Sequence, residues 1–108
     1  MKTIKLMAMM VLISITAAAQ QTYGEIRGVL RNELKEKVPF ATVKILQDDQ
    51  LIGGTQSDVD GNYKYKPLEP GLYDVMVLET GHLSKKINGV KVTPGEATYL
   101  NVKMSSNT

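Results

Sequence analysis

The 108-residue chain contains no cysteine, no tryptophan and one histidine, His82. Without cysteine there is no disulfide, no zinc-thiolate site, no thiol nucleophile and no lipid-bearing cysteine. An exported domain built this way stands on its hydrophobic core alone. A single histidine excludes a multi-histidine metal centre within one chain and makes any Ser-His-Asp triad depend on His82. That residue lies in Thr80-Gly81-His82-Leu83, a strand end or turn, where a structural or solvated histidine is expected. The missing tryptophan removes the broadest surface on which a sugar ring stacks. No long hydrophobic run interrupts the chain either. Leu6–Ile15 is the longest apolar stretch, and about 20 residues are needed to span a bilayer.

What is present at the N-terminus has the order of a secretory leader. Lys2 and Lys5 precede Leu6–Ile15, and Ala17-Ala18-Ala19 offers a small-residue cleavage site before polar Gln20-Gln21-Thr22. Residues 1–19 are therefore expected to be a signal peptide and 20–108 the working domain. Removing Lys2 and Lys5 from the 13 basic side chains leaves 11 against 11 acidic ones. This balance argues against general nucleic-acid binding. The mature chain is not expected to span a membrane.

The remainder alternates. Tyr23–Arg31 sets Ile26, Gly28 and Leu30 on one face and Glu25, Arg27 and Arg31 on the other. Phe40–Leu46 aligns Ala41, Val43 and Ile45 behind Pro39, which marks where the strand begins. Asp48-Asp49 is a turn before Leu51–Gln56, and Asp60-Gly61 reads as a hairpin signal leading into Asn62–Lys66. There Tyr63 and Tyr65 share one side while Lys64 and Lys66 share the other. Leu72–Leu78 follows Pro67–Gly71, with Tyr73, Val75 and Val77 in register. Leu83–Val92 surrounds an expected Asn88-Gly89 turn, and Ala97–Met104 turns Leu100, Val102 and Met104 inward. About seven strands with turn signals every 8–12 residues, and no sustained helical period, predict an all-β fold. The expected architecture is a seven-stranded antiparallel Greek-key β-sandwich.

The punctuation resembles a known family. Gly28-Val29-Leu30 and Val38-Pro39-Phe40-Ala41-Thr42-Val43 are followed by Gly54-Thr55-Gln56-Ser57-Asp58-Val59-Asp60-Gly61-Asn62-Tyr63, then Leu68-Glu69-Pro70-Gly71-Leu72-Tyr73 and Gly81-His82. In order and spacing these are similar to the carboxypeptidase regulatory-like domain, which has a transthyretin-like (prealbumin-like) sandwich. The resemblance covers nearly all of Tyr23–Met104. It implies a domain without catalytic residues of its own, found after the catalytic domain of metallocarboxypeptidases or before the plug of outer-membrane transporters. This sequence departs at His82, where the family often has an aromatic, and at Gln56-Ser57, where threonines are usual. The transthyretin-like hydroxyisourate hydrolases need several histidines and a C-terminal Tyr-Arg-Gly-Ser, whereas this chain ends Ser105-Ser106-Asn107-Thr108.

The candidate residues are modest. Asp58-Val59-Asp60-Gly61-Asn62 places oxygens at calcium-loop positions 1, 3 and 5, but glycine falls at position 4 rather than 6. Asp58, Asp60, Gly61 and Gly71 are accordingly read as structural turn residues. Tyr63 and Tyr73 stand where the family buries its aromatics. Tyr23, Tyr65, Tyr99 and Lys103 remain as an interaction surface, and the terminal strands Tyr23–Arg31 and Ala97–Met104 are expected at sheet edges. No catalytic residue, metal ligand or cofactor is read. The expected function is an exported, non-enzymatic accessory subunit of the bacterial envelope, in the periplasm or on the periplasmic face of the outer membrane, with an extracellular location as the alternative. Its partner would be an outer-membrane transporter or secretion machine. The alternative is a glycan- or peptidoglycan-binding module using exposed tyrosines.

Overall fold

The computed structural model describes residues 21–107. The expected leader at 1–19 lies outside the described residues. Eight strands follow in order: β1 Gly24–Arg31, β2 Thr42–Gln47, β3 Gln50–Gln56, β4 Asn62–Leu68, β5 Gly71–Leu78, β6 Lys85–Val92, β7 Ala97–Tyr99 and β8 Val102–Lys103. They form two sheets. One runs β4-β1-β7, with β8 continuing β7 along β1, and the other runs β3-β2-β5-β6. β2–β3 and β5–β6 are hairpins joined through the antiparallel β2–β5 pair; β7 and β8 follow one another along β1, and the remaining connections change sheet.

Alternation builds the core as the sequence predicts. Ile26 and Leu30 of β1, Val43 and Ile45 of β2, and Tyr73, Val75 and Val77 of β5 are buried together with Val102 and Met104. Each such side chain removed from water stabilises the fold by about 1.5–3 kcal/mol. Ser57 is buried among them because its hydroxyl is fully used. Ser57 Oγ donates to Val38 O at 2.9 Å and accepts from Ala41 N at 2.8 Å.

Several expectations need correction. The sheets are antiparallel except where the C-terminal segment pairs parallel with β1, Glu25 opposite Ala97 and Leu30 opposite Val102. This segment is also broken at Leu100-Asn101, so seven expected strands become eight. β1 is therefore the middle of its sheet and not an edge. β2 begins at Thr42 rather than Phe40, because Phe40 takes φ 58° and turns the chain. Asn88-Gly89 makes no hairpin. It is an irregularity inside β6, where pairing shifts between Tyr73–Val90 and Val75–Ile87 and Gly89 takes φ 70°. Asp60-Gly61 does make a turn, but it carries the chain from β3 in one sheet to β4 in the other.

One backbone position in each sheet governs its local geometry. A Cβ on Gly28 would stand 1.9 Å from Leu100 O, so only glycine lets that carbonyl approach β1. At the β2–β3 corner, Asp48 and Asp49 take φ 51° and 63° between paired Gln47 and Gln50, the geometry of a two-residue type I′ turn.

Two stability measurements follow. Gly28→Ala forces Leu100 away from β1 and is expected to cost about 3 kcal/mol in urea unfolding. Replacing the strained turn by Asp48→Asn with Asp49→Gly is expected to add about 0.5–1 kcal/mol, since both residues tolerate positive φ. A neutral Gly28→Ala, or an Asn-Gly turn that lowers the midpoint, would contradict these assignments.

Candidate functional site

The outward positions of β1, β4, β7 and β8 form one continuous surface. Strand alternation points Glu25, Arg27, Val29 and Arg31 away from the core. Pairing then sets rows across the sheet: Lys64–Arg27–Tyr99, Asn62–Val29 and Arg31–Lys103. The Arg27 guanidinium carbon lies 6.0 Å from the centre of the Tyr99 ring, within cation–π range. On its other side Arg27 Nη2 meets Glu25 Oε2 at 3.4 Å. That oxygen is buried and accepts no hydrogen bond among the described residues. Asn101 continues the row of Val29, its Oδ1 accepting from Val29 N at 3.0 Å. The result is a groove of about 510 Å³ lined by Arg27, Val29, Asn62, Lys64, Tyr99 and Asn101.

Tyr63 supports this surface from below. Its hydroxyl donates to Leu100 O at 2.5 Å, and burial pushes its pKa well above the usual tyrosine value, so it stays protonated. The same bond fixes the segment that carries Tyr99 and Asn101.

The residues singled out from sequence are dispersed. Tyr99 is 71% exposed and stands in the groove. Lys103 lies on the same face opposite Arg31, and its carbonyl accepts from Lys85 Nζ at 3.0 Å. Tyr23 is exposed just before β1, where its carbonyl accepts from Gly95 N, ~13 Å along the strand from Arg27. Tyr65 does not join this surface. It turns inward against Gly53, where an added Cβ would stand 2.1 Å from its hydroxyl oxygen, and so bridges β4 and β3. Asp58 Oδ1 accepts from Asp60 N and Asn62 N, both at 2.9 Å, and Gly61 closes the turn at φ 76°. Asp60 pairs with Lys37 at 3.9 Å. Gly71 opens β5 opposite Val92. Sequence reasoning placed Arg27 outward but missed its company with Tyr99 and Asn101, because nothing local announces a parallel pair.

The sheet edges differ in how they are guarded. β4 carries Lys64, Lys66 and Pro67, β6 carries Lys85, Lys86 and Lys91, and β7–β8 is short and broken. All three are features that discourage strand addition. β3, Gln50–Gln56, has neither charge nor proline over seven residues and pairs only with β2 among the described residues. It also presents Leu51 and Ile52, 62% and 45% exposed. No sequence cue marked it.

His82 does not line the groove of Tyr99. Its Nδ1 meets Glu79 Oε2, which also accepts from Gly81 N at 3.2 Å, while its backbone bridges Ser106. Among the described residues no group of three His, Cys, Asp or Glu side chains is placed to hold a metal ion. No helix among them is long and apolar enough to cross a membrane.

Two stacked sheets with inward alternation and a parallel C-terminal strand define a prealbumin-type β-sandwich domain. The chain belongs to the carboxypeptidase regulatory-like domain family, whose model matches residues 25–105. Among curated proteins none matches. Similar solved structures include the Bacillus anthracis TIE protein, at 21% identity and TM-score 0.64 over 79% of this chain and 17% of that one. A type II cohesin–X-dockerin complex from Acetivibrio cellulolyticus matches at 17% identity and TM-score 0.63, over 77% of this chain and 58% of the other. The minor pilin GBS52 from Streptococcus agalactiae matches at 12% identity and TM-score 0.62, over 82% and 46%. The chain thus spans less than two thirds of each, and at these identities the likeness is one of fold.

The Glu79–His82 contact gives a pH-dependent stability. The histidine hydrogen bond, and then the Gly81 N–H, hold the Glu79 carboxyl below its ordinary 4.5. A carboxyl depressed in the folded state stabilises above its unfolded pKa and loses that effect as pH falls through the folded value. The urea midpoint of the native protein should therefore exceed that of Glu79→Gln at neutral pH, and the gap should close as the pH falls through the depressed carboxyl value. A gap that is constant with pH would show that the contact does not report on the carboxylate.

Proposed function

We propose that the protein is an exported, non-catalytic docking module, an accessory subunit of the bacterial envelope that takes up an extended segment of a partner protein. The observation that carries this reading is β3. Along its outer side the backbone N–H and C=O groups have no neighbouring strand among the described residues, and an incoming strand would complete them by β-augmentation. Leu51 and Ile52 add apolar contacts that a main-chain ladder alone lacks. The other edges carry lysines, a proline or a break, so the surface discriminates where a strand can add.

Export rests on the leader expected at 1–19, and the working domain is then 20–108. The family resemblance favours a partner such as an outer-membrane transporter or a secretion complex, because the domain there accompanies another machine rather than acting alone. A minor pilin and a cohesin–X-dockerin complex among the structural neighbours fit a sandwich used in assembly at surfaces.

The test is mild crosslinking of the tagged protein in intact envelopes, with partners identified by mass spectrometry, beside an Ile52→Lys variant. Ile52 is half exposed, so the lysine guards the edge without entering the core. The native protein should recover one partner in stoichiometric amount, and the variant should lose it. Equal recovery by both proteins, or a native monomer with no partner, contradicts the reading.

A further inference from the structure

We propose that the outer face of the β4-β1-β7-β8 sheet binds an acidic polysaccharide, a glycan whose sugar rings carry carboxylates. This inference is independent of strand addition at β3, which lies at the edge of the other sheet. Three observations carry it: the charge of the face, the shape of its groove and the groups that line it.

Charge on residues 20–108 is balanced, with 11 basic against 11 acidic side chains, but not on this surface. Arg27 and Arg31 of β1, Lys64 and Lys66 of β4 and Lys103 of β8 project from one sheet. Glu25 is the acid on these strands, paired with Arg27 at 3.4 Å, and Glu33 lies beside Arg31 and Lys103 with its Oε1 accepting from Ser106 N. The ion pairs among the described residues leave Arg31, Lys64, Lys66 and Lys103 without an acidic partner within 4.0 Å. Asp58, at the groove's rim, accepts the two turn N–H groups with Oδ1 and keeps its negative charge, so it counts against the cations. A face on which cations outnumber acids attracts a polyanion and holds it more weakly as salt rises. Arg27 and Arg31 are four residues apart on β1, ~13 Å along the strand, so the cations follow a track longer than a single sugar ring.

The groove is equipped for hydroxyls as well as for charge. The Tyr99 ring is mostly exposed, and the Arg27 guanidinium at 6.0 Å steadies it as a stacking surface for the apolar side of a sugar. Asn62, Asn101 and Gln56 supply side-chain amides that both donate and accept. The bond to Val29 N fixes the Asn101 amide by its oxygen and leaves its NH₂ as a donor toward a ligand. Arg27 has five N–H groups, and the pairing with Glu25 does not exhaust them. Carboxylates would meet Arg27, Lys64 and Arg31, and hydroxyls would meet the amides. A bare phosphate surface has no use for the amides. Insertion into a lipid layer requires apolar protrusions, and Leu51 and Ile52 belong to the other sheet. Single-stranded nucleic acid is tracked by successive aromatics, and this face offers one.

Affinity electrophoresis and titration calorimetry with polygalacturonate test the proposal, beside dextran, an oligothymidylate and phosphatidylglycerol vesicles. Polygalacturonate should retard the native protein, dextran should not, and the retardation should weaken with added salt. Tyr99→Ala should lower affinity about tenfold or more, as expected for a stacked aromatic anchor. Lys64→Gln and Arg31→Gln should each weaken binding, and Ile52→Lys should leave it unchanged. Unchanged far-UV circular dichroism of Tyr99→Ala would show that the loss is not unfolding. The proposal is overturned by absence of retardation, by full binding of Tyr99→Ala, or by tighter binding to the oligothymidylate or the vesicles than to polygalacturonate.

Discussion

The first sheet is organised around one close approach, the carbonyl of Leu100 against the bare backbone of Gly28. Leu100 N donates to Arg27 O at 2.7 Å, and Leu100 O receives the Tyr63 hydroxyl from β4. One residue's backbone thus ties β1, β4 and the C-terminal segment together. Any side chain at position 28 would push the carbonyl away, because a Cβ there has no space. The same contact explains why the C-terminal strand is broken into β7 and β8. The chain bends toward β1 at Leu100 and resumes its pairing at Val102. Tyr99 and Asn101, on either side of that bend, are left on the outer face, where Asn101 clasps Val29 N. The groove is therefore a consequence of a packing constraint on the opposite face of the sheet.

The second sheet has a different economy. β2 and β5 supply the most deeply buried aliphatic side chains, while β3 contributes no fully buried residue. It is held by its ladder to β2 and by the Tyr65 ring that fills the space over Gly53. A strand that adds so little to the core is free to vary on its outward side. Here that side is uncharged and apolar. The two sheets consequently divide the surface, with cations and an aromatic on one and an open edge on the other. Both uses leave the shared core untouched.

Much of this was legible in the sequence, and the limits have a physical cause. Alternation identified which way Ile26, Val43, Val75 and Val102 point, because the period of a strand is local. Strand partners are not local. Asp60-Gly61 has the chemistry of a tight turn whether the next strand returns beside the last or crosses to the other sheet, and it crosses. Asn88-Gly89 satisfies positive φ equally well in a hairpin or inside β6. Chain termini suggested edges, yet β1 is enclosed because the C-terminal segment runs parallel beside it. Tyr65 alternates with exposed lysines and so turns inward with Tyr63, but its partner Gly53, which leaves room for its ring across the sandwich, is not local. The plain composition of β3 became informative only when the other edges were seen to carry charge, proline or a break.

The central claim is that contact at the β3 edge, and not chemistry at a pocket, is what this domain does for its partner. Amide hydrogen exchange of the isolated protein and of its crosslink-captured complex addresses that claim most directly. The account predicts new protection concentrated in Gln50–Gln56, with β1 amides already slow in both states. Protection appearing instead on β7–β8 or around His82, with β3 exchanging as fast in the complex as alone, would contradict it.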